Sequence, residues 1–400
     1  MDASIEASCF SCLFLFPGKI FRVQLCKHSA EKRIMSMPDF QGKGSTIPVS
    51  QNKLLRSSEL SLPSFRMLSW SLLLGGWIAL GVGTPSITVG PGLAYADSDA
   101  DADVSAVEGD SARLPARLNV LTYNIAALPG GLLQDVERLA RIGVKFPLMG
   151  PDVVGFQETF HRKTSSLAID PRYPFFSWGP DGGSGRVNSG LLALSRYRML
   201  RTAELEYSSC FGMDCFSRKG ALLTSVEVPA GEPGRPAQQV DVYHTHLNSA
   251  GDETVRLKQL RQLHRMIRAH SPPEVPVVLM GDFNFVPGSW EYRFVQEQME
   301  MRDAYADLRD RNQWSDPELW NGFTFDYRRN SRLMDTFRAR YRDSARIDFV
   351  WLRGARCANG VAPIEARSAR LAFADRDPVV DGHLSDHFGL QMDLEVHTCE

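Results

Sequence analysis

Hydrophobic residues beyond residue 115 fall into short runs that end in polar side chains. The runs are rich in Val, Leu, Ile and aromatic residues, which is typical of strands covered on both faces. They are LNVLTYN (118–124), DVVGFQE (152–158), SGLLALS (189–195), GALLTSVEV (220–228), QVDVYHTHLN (239–248), VPVVLMGDFN (275–284) and RIDFVW (346–351). The pattern predicts a sheet-rich domain in which polar groups collect where strands end.

Two further segments show the apolar spacing of amphipathic helices. In LLQDVERLARI (132–142) the predicted buried face holds Leu133, Val136, Leu139 and Ala140. In DETVRLKQLRQLHRMIRAH (252–270) the predicted buried face holds Val255, Leu260, Leu263 and Ile267. Helices interspersed with strands in this way favour an α/β fold.

The polar residues at the predicted strand ends are of the kinds that handle phosphate esters. Carboxylate, amide and imidazole groups gathered at one edge suit a hard divalent cation and a phosphate group. An Asp beside a His fixes the imidazole tautomer for proton transfer, and Asp348 and His387 are candidates for that pair. The other candidates are Asn124, Glu158, His246, Asn248, Asp282, Asn284 and Asp386.

Residues 1–96 differ in character from the remainder of the chain. Basic residues precede the apolar run 67–83, and Ala94-Tyr95-Ala96 follows it, which predicts a secretory signal cleaved after Ala96. An uncleaved membrane anchor is the alternative. Segment 97–115 is acidic at its start and predicts a solvated linker, leaving 116–400 as the catalytic domain. The expected location is secreted or periplasmic, with a membrane-anchored protein as the alternative.

Residues 1–34 fit neither a signal nor an anchor. The chain has further methionines at Met35 and Met37, and either is a better start for an exported protein. An organelle-targeting extension is the other interpretation, because this region is poor in acidic residues and carries scattered serines.

The charge balance disfavours a protein dedicated to gripping nucleic acid. The first 96 residues hold nine Lys and Arg and five Asp and Glu, so the remainder holds 36 basic and 42 acidic residues, a net charge of −6. Proteins that bind a DNA backbone usually present a basic field. Nucleic acid is therefore expected only as an alternative substrate.

Four cysteines lie beyond the N-terminal extension: Cys210, Cys215, Cys357 and Cys399. An even number fits disulfides in an exported protein, and no Cys-x-x-Cys or Cys/His spacing supports zinc. A small loop closed by Cys210 and Cys215 would leave Cys357 to pair with Cys399. Free buried thiols are the alternative.

The ordered motifs TYN, GFQE, HTHLN, GDFN, RIDFV and SDHFG resemble the endonuclease/exonuclease/phosphatase superfamily over about residues 117–397. The resemblance implies two packed mixed β-sheets flanked by helices, an α-β-β-α sandwich. It also implies metal-assisted hydrolysis of phosphoester bonds, with Mg²⁺ or another divalent cation as cofactor.

Roles for the candidate residues follow from their chemistry and this resemblance. Glu158 and Asp386 are the expected metal ligands. We expect His387, held by Asp348, to take a proton from water. His246 would serve the leaving group as acid or stabilise the phosphorane-like charge, and the reverse assignment of the two histidines is open. Asp282 and Asn284 would orient the attacking water and a phosphoryl oxygen. The residues expected to contact substrate are Asn124, Lys219 and Asn248.

Two segments resemble one branch of this superfamily in particular. HTHLN followed by RLKQLRQL, and CFGMDCFSRKGALL, are similar to secreted bacterial neutral sphingomyelinases, in which the lysine at the position of Lys219 lies near the headgroup phosphate. This implies cleavage of sphingomyelin into ceramide and phosphocholine by a monomer that contacts a membrane surface. Segment 353–378, which corresponds to an exposed aromatic hairpin in that group, has Phe373 as its single aromatic residue. The alternatives are an exported nuclease and a phosphoinositide phosphatase.

Overall fold

The computed structural model describes residues 9–16, 19–26, 114–129, 136–182, 187–311, 321–333 and 343–399. The apolar run 67–83 and most of the predicted linker 97–115 lie outside these ranges. The chain forms two compact units, residues 1–100 and residues 101–400. In the first unit, β1 (Cys9–Phe16) and β2 (Lys19–Cys26) pair as an antiparallel hairpin. None of the described helices is long and apolar enough to cross a membrane.

The second unit alternates strands and helices. In chain order these are β3 (Ala116–Ala127), α1 (Val136–Lys145), β4 (Val153–Thr159), β5 (Phe175–Trp178), β6 (Leu192–Ser195), β7 (Met199–Glu206), β8 (Gly220–Val228), β9 (Gln238–His246), α2 (Glu253–His270), β10 (Val277–Asp282), α3 (Trp290–Arg293), β11 (Arg302–Asp303), α4 (Ala304–Asp310), β12 (Asp348–Arg353), β13 (Ala355–Cys357), β14 (Gly360–Ala362), β15 (Ile364–Ala372) and β16 (Gly389–Val396). Short 3₁₀ helices span Phe146–Met149, Arg162–Ile169 and Gly212–Phe216, and a π-helical turn spans Phe294–Gln298.

Two six-stranded sheets carry the fold, and their strand directions follow the same scheme. The first has the order β15-β16-β3-β4-β6-β5 and the second has the order β11-β12-β10-β9-β8-β7. In each sheet one central pair is parallel, β3 with β4 and β9 with β10, and every other neighbouring pair is antiparallel. The predicted sandwich of two mixed sheets is confirmed.

The sheets pack face to face through branched aliphatic side chains. Val120 of the first sheet belongs to the same buried cluster as Val242, Val278 and Val350 of the second. Helix α2 covers the outer face of the second sheet with Leu260, Leu263 and Ile267, as its sequence predicted. Helix α1 covers the outer face of the first sheet. Burial on both faces makes the central strands the most rigid positions from which to project a site.

Helix α1 buries a different face from the one predicted. Val136 is exposed, whereas Arg138, Leu139 and Ile142 are buried. Leu133 lies outside the described residues, and Ala140 is exposed. The Arg138 guanidinium tolerates burial because it donates hydrogen bonds to the backbone carbonyls of Ile125, Ala126 and Leu384.

The four cysteines of the second unit form the two predicted disulfides. Cys210 bonds Cys215 across a sequence separation of 5, and Cys357 bonds Cys399 across a separation of 42. The alternative of free thiols is therefore wrong for this structure.

Candidate active site

The two parallel strand pairs end at the same edge of the sandwich and deliver the predicted polar groups there. Strands β3 and β4 supply Asn124 and Glu158 from the first sheet. In the second sheet, Asp282 is the register partner of both His246 on β9 and Asp348 on β12. Carboxyl ends of central parallel strands are a common place for ligand sites in α/β proteins.

Asn124 joins the two sheets at this edge. Its Nδ2 donates to Glu158 Oε1 at 3.2 Å and to Asp282 Oδ2 at 3.0 Å. Its Oδ1 accepts the backbone N–H of Ala126 at 3.0 Å, and its backbone carbonyl accepts from Ser385 Oγ at 2.6 Å. The side-chain amide of Asn124 therefore fixes the spacing between two carboxylates from different sheets. Its backbone carbonyl holds the loop that carries Asp386 and His387.

His387 and Asp348 form the expected pair. The His387 Nδ1 and Asp348 Oδ2 atoms lie 2.9 Å apart, and His387 Nε2 lies 3.7 Å from Asp282 Oδ2. Desolvation lowers the pKa of His387, but the Asp348 and Asp282 carboxylates outweigh it and raise that pKa to about 10. Asp348 thus holds the proton on Nδ1 and leaves Nε2 directed at Asp282.

His246 and Lys219 form a second buried pair. The Lys219 Nζ atom lies 2.8 Å from His246 Nε2, 2.8 Å from the Leu247 carbonyl oxygen and 2.9 Å from Asp214 Oδ1. An ammonium group only donates, so His246 Nε2 accepts and the imidazole is neutral. Desolvation and the positive charge of Lys219 hold the pKa of His246 well below its usual range. Lys219 uses its three donors within the protein, so it supplies positive charge below the site.

Glu158 and Asp386 interact through their charges at this edge. Desolvation and the negative charge of Asp386 raise the pKa of Glu158 to about 7, while Lys219 and Asn124 act in the opposite direction. Two carboxylates that repel each other in this way form a donor set of the type that Mg²⁺ binds. Ligand atoms of Asp282, Asp348 and His387 also lie within 4.8 Å of one another. In that second group the His387 imidazole is already hydrogen-bonded to Asp348. The group is therefore the poorer donor set for a hard cation.

Asn248 and Asn284 lie beside the cluster in different ways. The Asn248 amide is buried and holds the preceding loop, accepting from the Phe211 N–H and donating to the Phe211 and Ala250 carbonyls. Asn284 is half-buried, donates from Nδ2 to the Leu247 carbonyl at 3.1 Å, and gives its N–H to Asp282 Oδ1 at 3.0 Å. Asn284 therefore borders the cluster, whereas Asn248 supports a loop beside it.

Three of the six non-glycine residues with positive φ in the described part of the chain lie at the same edge. Ala126, Glu158 and Asn284 have φ values of 51°, 58° and 52°, in the left-handed region that non-glycine residues rarely adopt. Each follows or ends a strand of one of the parallel pairs. Such strain persists where surrounding contacts hold it, and it clusters at functional sites.

Asp214 is a site residue that the sequence analysis missed. Its carboxylate pairs with Lys219 and also accepts from the Ser249 N–H and hydroxyl, each at 2.7 Å. It therefore ties the Lys219–His246 pair to the loop that follows β9. The only sequence signal was its place between the paired cysteines, five residues before Lys219.

The buried His244 is a neutral core residue. Its Nε2 lies 2.6 Å from Gln157 Nε2, and burial lowers its pKa to about 3. The Gln157 amide is therefore the donor, and the pair links the two sheets one layer below the site.

The sequence profile of the Endonuclease/Exonuclease/phosphatase family matches residues 121–387 of the chain. An inositol phosphosphingolipids phospholipase C of Schizosaccharomyces pombe is 25% identical over 313 residues, which cover 70% of this chain and 68% of the relative. A Drosophila melanogaster protein provisionally named neutral sphingomyelinase is 26% identical over 301 residues, covering 71% of this chain and 62% of the relative. The chain thus spans about two thirds of each relative.

Solved structures share the fold. Sphingomyelinase C from Streptomyces griseocarneus matches with a TM-score of 0.52 and 22% identity, covering 69% of this chain and 99% of that one. A mutant beta toxin from Staphylococcus aureus with bound magnesium ions matches with a TM-score of 0.52 and 17% identity, covering 70% and 99%. These likenesses show the fold, whereas the family match and the two relatives support a phosphodiesterase.

Proposed function

The chain belongs to the endonuclease/exonuclease/phosphatase family, and we propose that it is a divalent-cation-dependent phosphodiesterase that hydrolyses sphingomyelin to ceramide and phosphocholine. The observation that carries the proposal is the Asn124 amide, which holds Glu158 and Asp282 beside the His387–Asp348 pair. A cation ligand and a proton-transfer group are thereby held in one cluster. Both relatives are named for phosphodiester cleavage in sphingolipids, which supports the substrate class.

Glu158 and Asp386 would hold the cation, for which Mg²⁺ is our first choice. When bound, such an ion neutralises phosphate charge and positions an oxygen of the substrate. The protein's own contribution is to hold Glu158 at a fixed distance from Asp282, which Asn124 does through its two donated hydrogen bonds.

His387 is the proposed acceptor of the proton from the attacking water. The raised pKa of His387 favours the imidazolium in the free protein, so the proposed base is the neutral imidazole, in which Asp348 keeps the proton on Nδ1 and Nε2 accepts. The same carboxylate stabilises the imidazolium that results. Asp282 lies opposite Nε2 and, with Asn284 beside it, would orient the water.

For His246 we propose charge stabilisation, the second of the two roles expected from the sequence, and not proton donation. Because the Lys219 ammonium occupies its Nε2, we propose that the pair acts by placing positive charge near the phosphate. The charge of Lys219 favours the ionised forms of Glu158 and Asp282.

The test is phosphocholine release from sphingomyelin vesicles by the full chain, with Mg²⁺ and with EDTA. His387→Ala is the inactive control, and phosphoinositide vesicles and supercoiled plasmid are assayed in parallel. Release that requires both Mg²⁺ and His387 supports the proposal. Plasmid nicking or phosphoinositide dephosphorylation without phosphocholine release would reassign the substrate while keeping the site.

We also infer that the catalytic unit is exported. The disulfides Cys210–Cys215 and Cys357–Cys399 support this, because such bonds persist in oxidising compartments. Detection of the protein only in a reducing compartment, with free thiols, would contradict it.

A further inference from the structure

The loop between β7 and β8 presents three large apolar side chains to water. Phe211, Met213 and Phe216 are 56%, 65% and 60% exposed, and the Cys210–Cys215 disulfide closes the loop around the first two. A single exposed apolar residue is ordinary, but several on one short loop mark an interaction surface.

This loop is held in its exposed position. Asn248 bonds both the N–H and the carbonyl of Phe211, and the Asp214 carboxylate accepts the N–H and hydroxyl of Ser249. With the disulfide, these bonds fix the backbone of the loop in the conformation that leaves the three apolar side chains exposed. Their exposure is therefore built into the fold.

The segment after β10, which includes the first residue of α3 and is called the second loop, carries two more apolar side chains. Val286 and Trp290, which follow β10, are 46% and 68% exposed. Glu291 next to Trp290 pairs with Arg256 at 2.8 Å, and Arg256 also donates to the Asn248 carbonyl at 3.5 Å. The two loops are thus connected through Asn248. We call Phe211, Met213, Phe216, Val286 and Trp290 the apolar rim.

The apolar rim lies next to the candidate active site. Asp214, between Met213 and the second cysteine, contacts Lys219, and Lys219 contacts His246. The second loop begins directly after Asp282 and Asn284. Both rim segments therefore extend from the strand ends that form the site.

We propose that the apolar rim is the surface that inserts into a lipid bilayer, so that a phosphodiester headgroup can reach His387 and Asp282 while its acyl chains stay in the membrane. This rests on the proposed lipid substrate. A protein partner bound to both loops would cover the strand ends that receive the substrate and would block its entry. A membrane that contains the substrate can cover the same strand ends and still deliver the substrate to them.

The chemistry of the rim suits the membrane interface. Aromatic side chains with polar neighbours favour the headgroup level. The Arg293 guanidinium lies 5.4 Å from the centre of the Trp290 ring, which places a cation that can pair with lipid phosphates beside an apolar anchor. This surface takes the place of the aromatic hairpin that segment 353–378 lacks.

The test compares the full chain with a variant carrying Phe211→Ser, Met213→Ser and Phe216→Ser. Binding to equimolar sphingomyelin and phosphatidylcholine vesicles is measured by flotation in EDTA, and hydrolysis of bis(4-nitrophenyl) phosphate is measured with Mg²⁺. We expect vesicle partitioning to fall at least about tenfold, because burying each large apolar side chain is worth roughly tenfold or more in an equilibrium constant. Hydrolysis of the soluble diester should stay within about twofold.

The matched control carries Ile169→Ser, Val361→Ser and Val379→Ser, which are exposed apolar residues outside the rim. It should bind vesicles like the unmodified chain. If the triple rim variant fails to fold, Trp290→Ser on the second loop provides the same comparison, with at least about threefold weaker partitioning expected.

Equal vesicle binding by the rim variants and the unmodified chain would overturn the inference. So would concentration-dependent self-association that the rim variants abolish without any change in vesicle binding. Turnover of the soluble diester with no rim-dependent binding would leave the proposed chemistry standing. Rim-dependent binding with no turnover of any diester would instead remove the proposed function.

Discussion

Asp348 sets the protonation of His387 through one bond of 2.9 Å between buried atoms. Asn124 sets the distance between Glu158 and Asp282 through another two bonds. At the scale of single residues, the site thus contains a residue proposed to transfer a proton, His387, and residues that position others, Asp348 and Asn124. The two kinds should respond differently to conservative substitution.

Asp348→Asn should lower kcat on sphingomyelin by about 10² to 10⁴-fold with little change in KM, because the amide cannot stabilise the imidazolium and permits the wrong tautomer. The measurement is steady-state kinetics at pH 7 with saturating Mg²⁺. Asp310→Asn, on an exposed side chain, is the control. An unchanged kcat for Asp348→Asn would remove the pair from the mechanism.

Glu158→Gln should raise the Mg²⁺ concentration for half-maximal activity by about tenfold or more, because a neutral amide is a poorer ligand for a hard cation. Independently of activity, Mg²⁺ should raise the Tm of the unmodified chain and raise that of the variant less. Glu297→Gln, away from the site, is the comparison. Identical Mg²⁺ titrations of both variants would move the cation to other ligands.

Strands β9 and β10 approach so closely that one position between them excludes any side chain. A Cβ on Gly281, whose φ is 150°, would lie 2.0 Å from the Thr245 carbonyl oxygen of the parallel neighbour. At the scale of elements, this contact keeps His246 and Asp282 in register. Helix α1 is likewise fixed at one end, by Arg141 and Lys145 against Asp377.

Gly281→Ala should lower the free energy of unfolding by about 3 kcal/mol or more, because the methyl group must push two backbones apart. Gly143→Ala is the matched control, since its Cβ would meet only Leu167 at 3.4 Å and Ala favours a helix. Denaturant unfolding measures both. Equal stability of the two variants would show that the strand pair tolerates separation.

Asp377 should stabilise the fold in a pH-dependent way. Burial raises its pKa, but bonds from Lys145, the Val379 N–H and Arg141 outweigh it and lower the pKa from 3.8 to about 2. The stabilisation is therefore complete above pH 3.8 and is lost as the pH falls through about 2. Asp377→Asn should cost about 1 to 2 kcal/mol at pH 7, since Arg141 and Lys145 are partly in water. A cost that is undiminished at pH 2 in denaturant titrations would contradict this linkage.

The two disulfides act at different ranges in the whole molecule. Cys357–Cys399 joins the β13–β14 hairpin to the end of the chain across 42 residues, whereas Cys210–Cys215 closes a loop within 5. The longer bond constrains the unfolded chain more, and the shorter one shapes the surface beside the site.

Replacing Cys357 and Cys399 by Ser should therefore lower the free energy of unfolding by about 4 kcal/mol, against about 2 kcal/mol for Cys210 and Cys215. Vesicle partitioning should fall only for the second pair, because that bond holds Phe211 and Met213 outward. Differential scanning calorimetry and flotation distinguish the two. The opposite order of stabilities would mean that native-state strain, not loop length, dominates.

The sequence by itself determined most of the central buried strands. It offered the cysteine pairing with free thiols as the alternative, and its motif order implied the sandwich of two mixed sheets through the family resemblance. Hydrophobic periodicity and motif order are local properties of the sequence, so they can be recognised without knowing which residues are in contact. They also indicated Glu158, Asp282, Asp348 and His387, because each ends or begins an apolar run.

Only the tertiary structure decided what these groups do to each other. Asn124 links the two sheets. Lys219 donates to His246, Leu247 and Asp214. Arg138 is buried and donates to three backbone carbonyls. These contacts join residues far apart in the chain, and their energies depend on burial and on which donors are already used. The local sequence pattern does not show how deeply a group is buried or which donors are already used, because both are determined only when the two sheets pack together.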